Sequence, residues 1–154
     1  MRLRVFIFLS LLCAITIPGC SLDSDGMRDG YYSARALSFN NSGWEEFITL
    51  YIHNNRIITV EYNARNASGL ILTWDVLYMR KIKEKMGVHP NQILREYSRE
   101  LLNRQDPKSV RKVHGDTYFY ETFRKLAAAA VKQAEAGNKA VAEISLTESA
   151  APSQ

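Results

Sequence analysis

The sequence predicts an α+β fold: a small antiparallel sheet with helices packed on one face. Three observations carry that expectation. Residues 45–62 alternate apolar and polar side chains about a central Asn54-Asn55, the pattern of a β-hairpin. Residues 74–103 and 117–136 instead repeat apolar side chains every three or four positions, the spacing of helices lying on a core. The chain is also short, at 154 residues, for more than one domain.

The first segment stands apart from the fold. Arg2 and Arg4 precede an apolar run over residues 5–17, and Ile17-Pro18-Gly19-Cys20 follows. A basic start, a short apolar stretch and a small residue before a cut define a secretory signal. The run is shorter than the ~20 apolar residues of a membrane span. The cysteine after Gly19 resembles a bacterial lipobox, with Ile17 first and Pro18 an unusual second residue. That resemblance implies a signal over residues 1–19, lipid on Cys20, and an exported protein held on a membrane face. An ordinary signal or an uncleaved anchor, with Cys20 incidental, is the alternative. Residues 20–28 then form a polar linker, residues 29–144 the domain, and residues 145–154 a disordered tail rich in Ser, Ala and Pro.

Within the domain, residues 31–39 read as a strand and Asn40-Asn41-Ser42-Gly43 as a turn. Ile48, Leu50 and Ile52 share one face of the next strand. Asn54-Asn55 supplies a two-residue turn because asparagine tolerates positive φ. The return strand puts Ile58, Val60 and Tyr62 on one face, and residues 63–69 form a polar loop. Thr73 caps a helix over residues 74–86 with Trp74, Leu77, Tyr78 and Ile82 inward, and Gly87 ends it. Pro90 opens a second helix to about Asn103, with Ile93, Leu94, Tyr97 and Leu101 inward. Asp106-Pro107 breaks the chain, and residues 110–113 form a short strand. The last helix starts near Thr117, buries Phe119, Phe123, Leu126, Ala130 and Ala134, and stops at Gly137. Residues 140–144 add an edge strand. Trp44 and Trp74 both read as core residues.

Composition narrows the function. The formal charge of +4 falls to about +2 once Arg2 and Arg4 leave with the signal, too balanced for nucleic acid as the main partner. The two cysteines are Cys13 and Cys20, so a cleaved chain keeps one thiol, and that one carries lipid. No disulfide framework or paired-cysteine metal site can then form. His53, His89 and His114 lack ligand spacing, and no nucleophile motif occurs, so neither a metal site nor a catalytic residue is expected. The basic clusters at Arg80-Lys81-Lys83-Lys85 and Lys108-Arg111-Lys112 read as solvated faces, the second lying just before a turn of interest.

That turn is Val113-His114-Gly115-Asp116-Thr117, a glycine and a hydroxyl at the start of the last helix. Unpaired N–H groups and the positive end of the helix dipole make such a place receptive to anions. The plainer reading makes Thr117 or Asp116 an ordinary N-cap. The stretch from Asp106 to Gly137 resembles the C-terminal signature of the FMN-binding domain family: a valine, a small hydroxyl residue, Gly-Ala-Thr, then a helix with Phe, Leu and Ala on one face. Asp29-Gly30-Tyr31-Tyr32 resembles that family's opening strand, and residues 44–62 its central hairpin. Asp75, Tyr78, Gly87, Pro90 and Asp106-Pro107 fall where its small lipoproteins place similar residues.

The resemblance implies a lipid-anchored, extracytoplasmic electron carrier that passes electrons between membrane redox partners and the outside. Its flavin phosphate would meet Gly115 and Thr117, with Arg111, Lys112 and His114 nearby and Tyr118 available for stacking. Asp116 replaces the family's alanine, His114 its hydroxyl residue, and Arg111 an aspartate of the covalent members. These departures point to non-covalent FMN rather than an ester, because a carboxylate beside a phosphate is repulsive. The same Asp116 supports a different class of protein, a flavin-free surface lipoprotein that keeps the fold as a binding module.

Overall fold

A computed structural model describes residues 26–113 and 117–146. The signal, Cys20, His114, Gly115, Asp116 and residues 147–154 lie outside the described residues.

Four strands make one sheet: β1 (Gly30–Ala36), β2 (Trp44–His53), β3 (Arg56–Asn66) and β4 (Ala142–Ile144), in the order β3-β2-β1-β4. The hairpin forms as its alternation demands, with Ile48, Leu50 and Ile52 fully buried. Asn54 and Asn55 turn it with φ of 51° and 57°. The sheet is mixed rather than wholly antiparallel, because β4 runs parallel to β1, pairing Ala34 with Ala142. The last helix carries the chain back across the face, so β4 enters in the direction of β1, as in any helical crossover.

Three helices follow: α1 (Val76–Met86), α2 (Pro90–Arg104) and α3 (Tyr118–Ala136). The inward stripes of α2 and α3 are those the spacing predicts, and Phe123, Leu126, Leu101 and Tyr97 are fully buried. Removing each such side chain from water stabilises the fold by ~1.5–3 kcal/mol. Ala127, Ala130 and Ala134 on α3 and Ala34 and Ala36 on β1 are all buried. Small residues on both elements let the helix lie close to the strand. Gly137, at φ 64°, ends α3 in a left-handed cap, with Asn138 N–H donating to the Gln133 carbonyl at 2.9 Å.

Several expectations need correction. The hairpin carries a bulge: Tyr51 pairs with Thr59 but Ile52 with Ile57, leaving Ile58 as the extra residue. Ile57 therefore takes the inward place and Ile58 turns outward, while Val60, Tyr62 and Ala64 keep the inward phase. Strand β3 continues to Asn66, which pairs with Trp44, where a loop from residue 63 was expected. Thr73 does not cap a helix. Leu72–Trp74 is a single 3₁₀ turn, and Asp75 caps α1 by accepting from the Tyr78 N–H at 2.9 Å. That shift keeps Ile82 inward as expected, adds Met79 beside it, and leaves Trp74 and Leu77 more than 70% exposed. Residues 110–113 form no strand; a 3₁₀ turn at Pro107–Ser109 leads into an irregular segment that hangs on Tyr97 and Tyr120.

The domain's start is fixed at one end of the hairpin. Met27 N–H donates to Asn55 Oδ1 at 2.8 Å, Arg28 N–H to the Ala134 carbonyl at 2.9 Å, and Asp29 accepts from Asn54 N–H and His53. The other end of β2, at Trp44, is 10 residues and so about 30 Å away. The N-terminus of α3 lies at that far end.

Candidate functional site

The far end gathers Asn40 from the β1–β2 loop, Trp44 and Glu46 from β2, Tyr78 and Ile82 from α1, and Tyr118 from the first turn of α3. Asn40 shapes the loop, its side-chain oxygen accepting from Ser42 N–H at 2.9 Å and Trp44 N–H at 3.1 Å. The turn this makes is a common use of asparagine. Its amide group points the other way and donates to Glu46 Oε1 at 2.7 Å and to the Tyr118 hydroxyl at 2.9 Å. The Tyr118 hydroxyl donates to the same Glu46 oxygen.

Glu46 is only 4% exposed. Burial pushes its carboxyl above the ordinary range, against the pull of the Tyr118, backbone and Asn40 hydrogen bonds, and the neighbouring Glu45 charge pushes it further. Burial, followed by the Glu46 charge, also holds the Tyr118 hydroxyl firmly protonated. Tyr118 is thereby fixed as a donor and Glu46 Oε1 as its acceptor. The second carboxyl oxygen, Oε2, is buried with no hydrogen-bond partner among the described residues. A buried polar atom of this kind costs about 1–3 kcal/mol unless something meets it. Glu46 lines a cavity of about 20 Å³, room for one water, walled by Trp44 and Tyr78 with ring centroids 5.2 Å apart. The Oε2 atom would accept from an N–H or O–H when ionised and donate when protonated.

Of the residues singled out in the sequence, Tyr118 lines this crevice, and Arg111, Lys112 and Thr117 are arranged differently from expectation. Thr117 is exposed at the α3 N-cap but makes no side-chain cap; its hydroxyl accepts from Lys112 Nζ at 2.7 Å. Arg111 is bound to α2, its guanidinium reaching Glu100 at 3.3 and 3.4 Å, and this pairing holds the Glu100 carboxyl below the usual range. Tyr118 points inward and is spent on Glu46, leaving no face for stacking on a surface ligand. Of the expected set, Lys112 and Thr117 come together, and Arg111 stays with Glu100. His114 and Gly115 lie outside the described residues. No group of three or more His, Cys, Asp or Glu side chains occurs among the described residues in a metal-binding arrangement.

Sequence reasoning missed Glu46 and Asn40. The signal for Glu46 was present: it stands in phase with Ile48, Leu50 and Ile52, an acid on the apolar face of a strand. Its partner Tyr118 lies 72 residues on, and that pairing is a product of the fold alone.

No protein-family model matches the chain. The chain is similar to a 15 kDa lipoprotein of Treponema pallidum, with 28% identity over 130 residues, 84% of this chain and 91% of that one. Among solved structures, the CPE2226 protein of Clostridium perfringens superposes with a TM-score of 0.74 at 21% identity, covering 79% of this chain and 99% of that one. A solution structure from Clostridium thermocellum gives 0.50 at 24% identity, covering 71% and 93%. Both structural likenesses speak to the fold.

Proposed function

We propose that this chain is a lipid-anchored bacterial lipoprotein that holds a small α+β binding domain outside the cytoplasm. The similarity to a lipoprotein over nine-tenths of that relative's length supports the anchor, together with the basic, apolar and Ile17-Pro18-Gly19-Cys20 order. No described helix is long and apolar enough to cross a membrane. Met27, at the start of the domain, is held at the hairpin turn, the end of the sheet opposite Glu46.

The single observation that carries the binding reading is Glu46: a buried carboxyl with one oxygen satisfied by Tyr118 and Asn40 and the other without a hydrogen-bond partner among the described residues. With room for one water beside it, this oxygen suits a single small donor, a water or the tip of a ligand that donates a hydrogen bond.

The finer reading, a non-covalent FMN carrier serving membrane redox partners, is supported by Lys112 and Thr117 at the N-terminus of α3, a donor set suited to phosphate. The crevice beside them, with room for one water, does not fit a flavin ring unless α1 moves off Trp44. The binding module without flavin therefore stands first. Full-length protein in detergent micelles, titrated with FMN and followed by flavin fluorescence, separates the two. The flavin-free module predicts no saturable change. Saturable binding that weakens on Lys112→Ala and Thr117→Val would establish the carrier instead. The anchor is tested apart from the ligand: Cys20→Ala should leave the membrane fraction, and a variant that fractionates like the parent would refute lipidation.

A further inference from the structure

A groove lies between the edge of the sheet and α2, separated from the Glu46 crevice by Asn63 and Leu94, which line both. Among the described residues, strand β3 has a strand neighbour on one side only. Its outer side is closed toward both ends; near Asn66, Ala64 N–H donates to Asn63 Oδ1 at 3.0 Å and Arg65 bridges to Ile71. The Gln105 side chain clasps Ile57, accepting from its N–H at 2.8 Å and donating to its carbonyl at 3.0 Å, and at the other end Asn66 N–H donates to the Leu70 carbonyl. Between these closures, the stretch from Val60 to Asn63 forms one wall of an open groove of about 620 Å³. The other wall is a single stripe of α2 that runs from Asn91 through Arg95 and Ser98 to Leu102. Those 11 residue steps span ~16 Å of helix, the length of about five residues in extended chain.

The groove is charged and has an aromatic end. Arg95 and Arg99, one turn apart, both line it, and neither pairs with a carboxylate among the described residues. Like charges at this spacing repel, so an anion between them relieves the helix. Glu61 is the one acid on the walls, and its carboxylate accepts from the Asn63 amide at 3.2 Å. Trp74 stands at the end of the groove with its indole 71% exposed.

We propose that this groove binds an extended acidic segment of a partner protein, which adds as a strand to β3 with its carboxylates on Arg95 and Arg99. An edge strand supplies backbone donors and acceptors at a strand's repeat, and a helix alongside supplies side-chain selectivity. The charge of the groove selects an acidic chain, and its length selects an extended one.

The test uses full-length protein in detergent micelles and a displayed library of random linear octapeptides at low salt. Peptides rich in Asp and Glu should be recovered. A synthetic copy of one should shift Trp74 emission and slow amide exchange over Val60–Asn63. The double variant Arg95→Glu/Arg99→Glu, altered only at exposed positions, should weaken that peptide by about tenfold or more. Recovery of no peptide, or of peptides whose binding survives the reversal, overturns the proposal. Displacement of the peptide by N-acetylglutamate at equal concentration would reduce the groove to a carboxylate site and overturn strand addition.

Discussion

Glu45 and Glu46 are neighbours on β2, and the pleat sends them to opposite faces of the sheet. Both are buried, at 6% and 4% exposure, yet their surroundings share nothing. Glu45 on the open face lies between two guanidinium groups, Arg65 on β3 and Arg35 on β1. Arg35 in turn holds Glu143 on β4, which raises the Arg35 guanidinium above its usual value and stitches the short edge strand to the sheet. Glu46 on the helix-covered face has no cation among its partners; neutral donors meet one of its oxygens. The open face uses a carboxylate as a clasp between strands. The covered face keeps one with an oxygen that meets no donor among the described residues, at a water-sized cavity. The two tryptophans show the same division, Trp44 being sealed under α1 and Trp74 displayed beside the edge strand.

The largest effects should separate the tryptophans. Trp44→Ala should lower the unfolding free energy by ~3–5 kcal/mol, as truncation of a buried aromatic does. Trp74→Ala should change it by less than ~0.5 kcal/mol. Urea denaturation of both variants measures the pair, and equal losses would erase the distinction between a core and a displayed indole.

Next comes the polar cluster. Tyr118→Phe removes a hydrogen bond to a buried carboxyl and should cost ~1.5–3 kcal/mol where Glu46 is ionised. A loss no larger than that of a surface substitution would mean the bond contributes nothing.

The pH dependence of stability reports on Glu46. The folded-state value of Glu46 lies above its ordinary 4.5, so its contribution is fully present below 4.5 and is lost as pH rises through the raised value. Glu46→Gln should flatten the decline in denaturation midpoint over that window. A variant that declines as steeply as the parent would place the linkage on another group.

The smallest effect is expected on the open face. Glu45→Gln should cost under ~1 kcal/mol, since both arginines are more than a third exposed and solvent screens them. Added salt should shrink even that difference.

These contrasts also mark where the sequence was readable. The hairpin, α2 and α3 follow local rules: alternation about Asn54-Asn55, a proline at Pro90, and apolar spacing closed by Gly137. The errors cluster where a single residue sets the phase. The bulge at Ile58 exchanges the inward roles of Ile57 and Ile58, and a cap at Asp75 rather than Thr73 turns Trp74 and Leu77 out to solvent. Neither has a local signature stronger than the alternative. The candidate site was half legible. Lys112 and Thr117 do meet at the start of α3, but the buried carboxylate at its centre depends on Asn40, Glu46 and Tyr118, which only the folded chain brings together.

Glu46 is a buried carboxyl with one oxygen that meets no donor among the described residues, and its titration is the most direct test of that arrangement. Carbon-13 NMR of the Glu46 side-chain carboxyl, followed against pH in the full-length protein, should place its midpoint above the ordinary carboxylate range. Tyr118→Phe should raise the midpoint further, because that hydroxyl favours the ionised form. A midpoint in the ordinary range, unmoved by Tyr118→Phe, would show a solvated carboxylate and contradict the site.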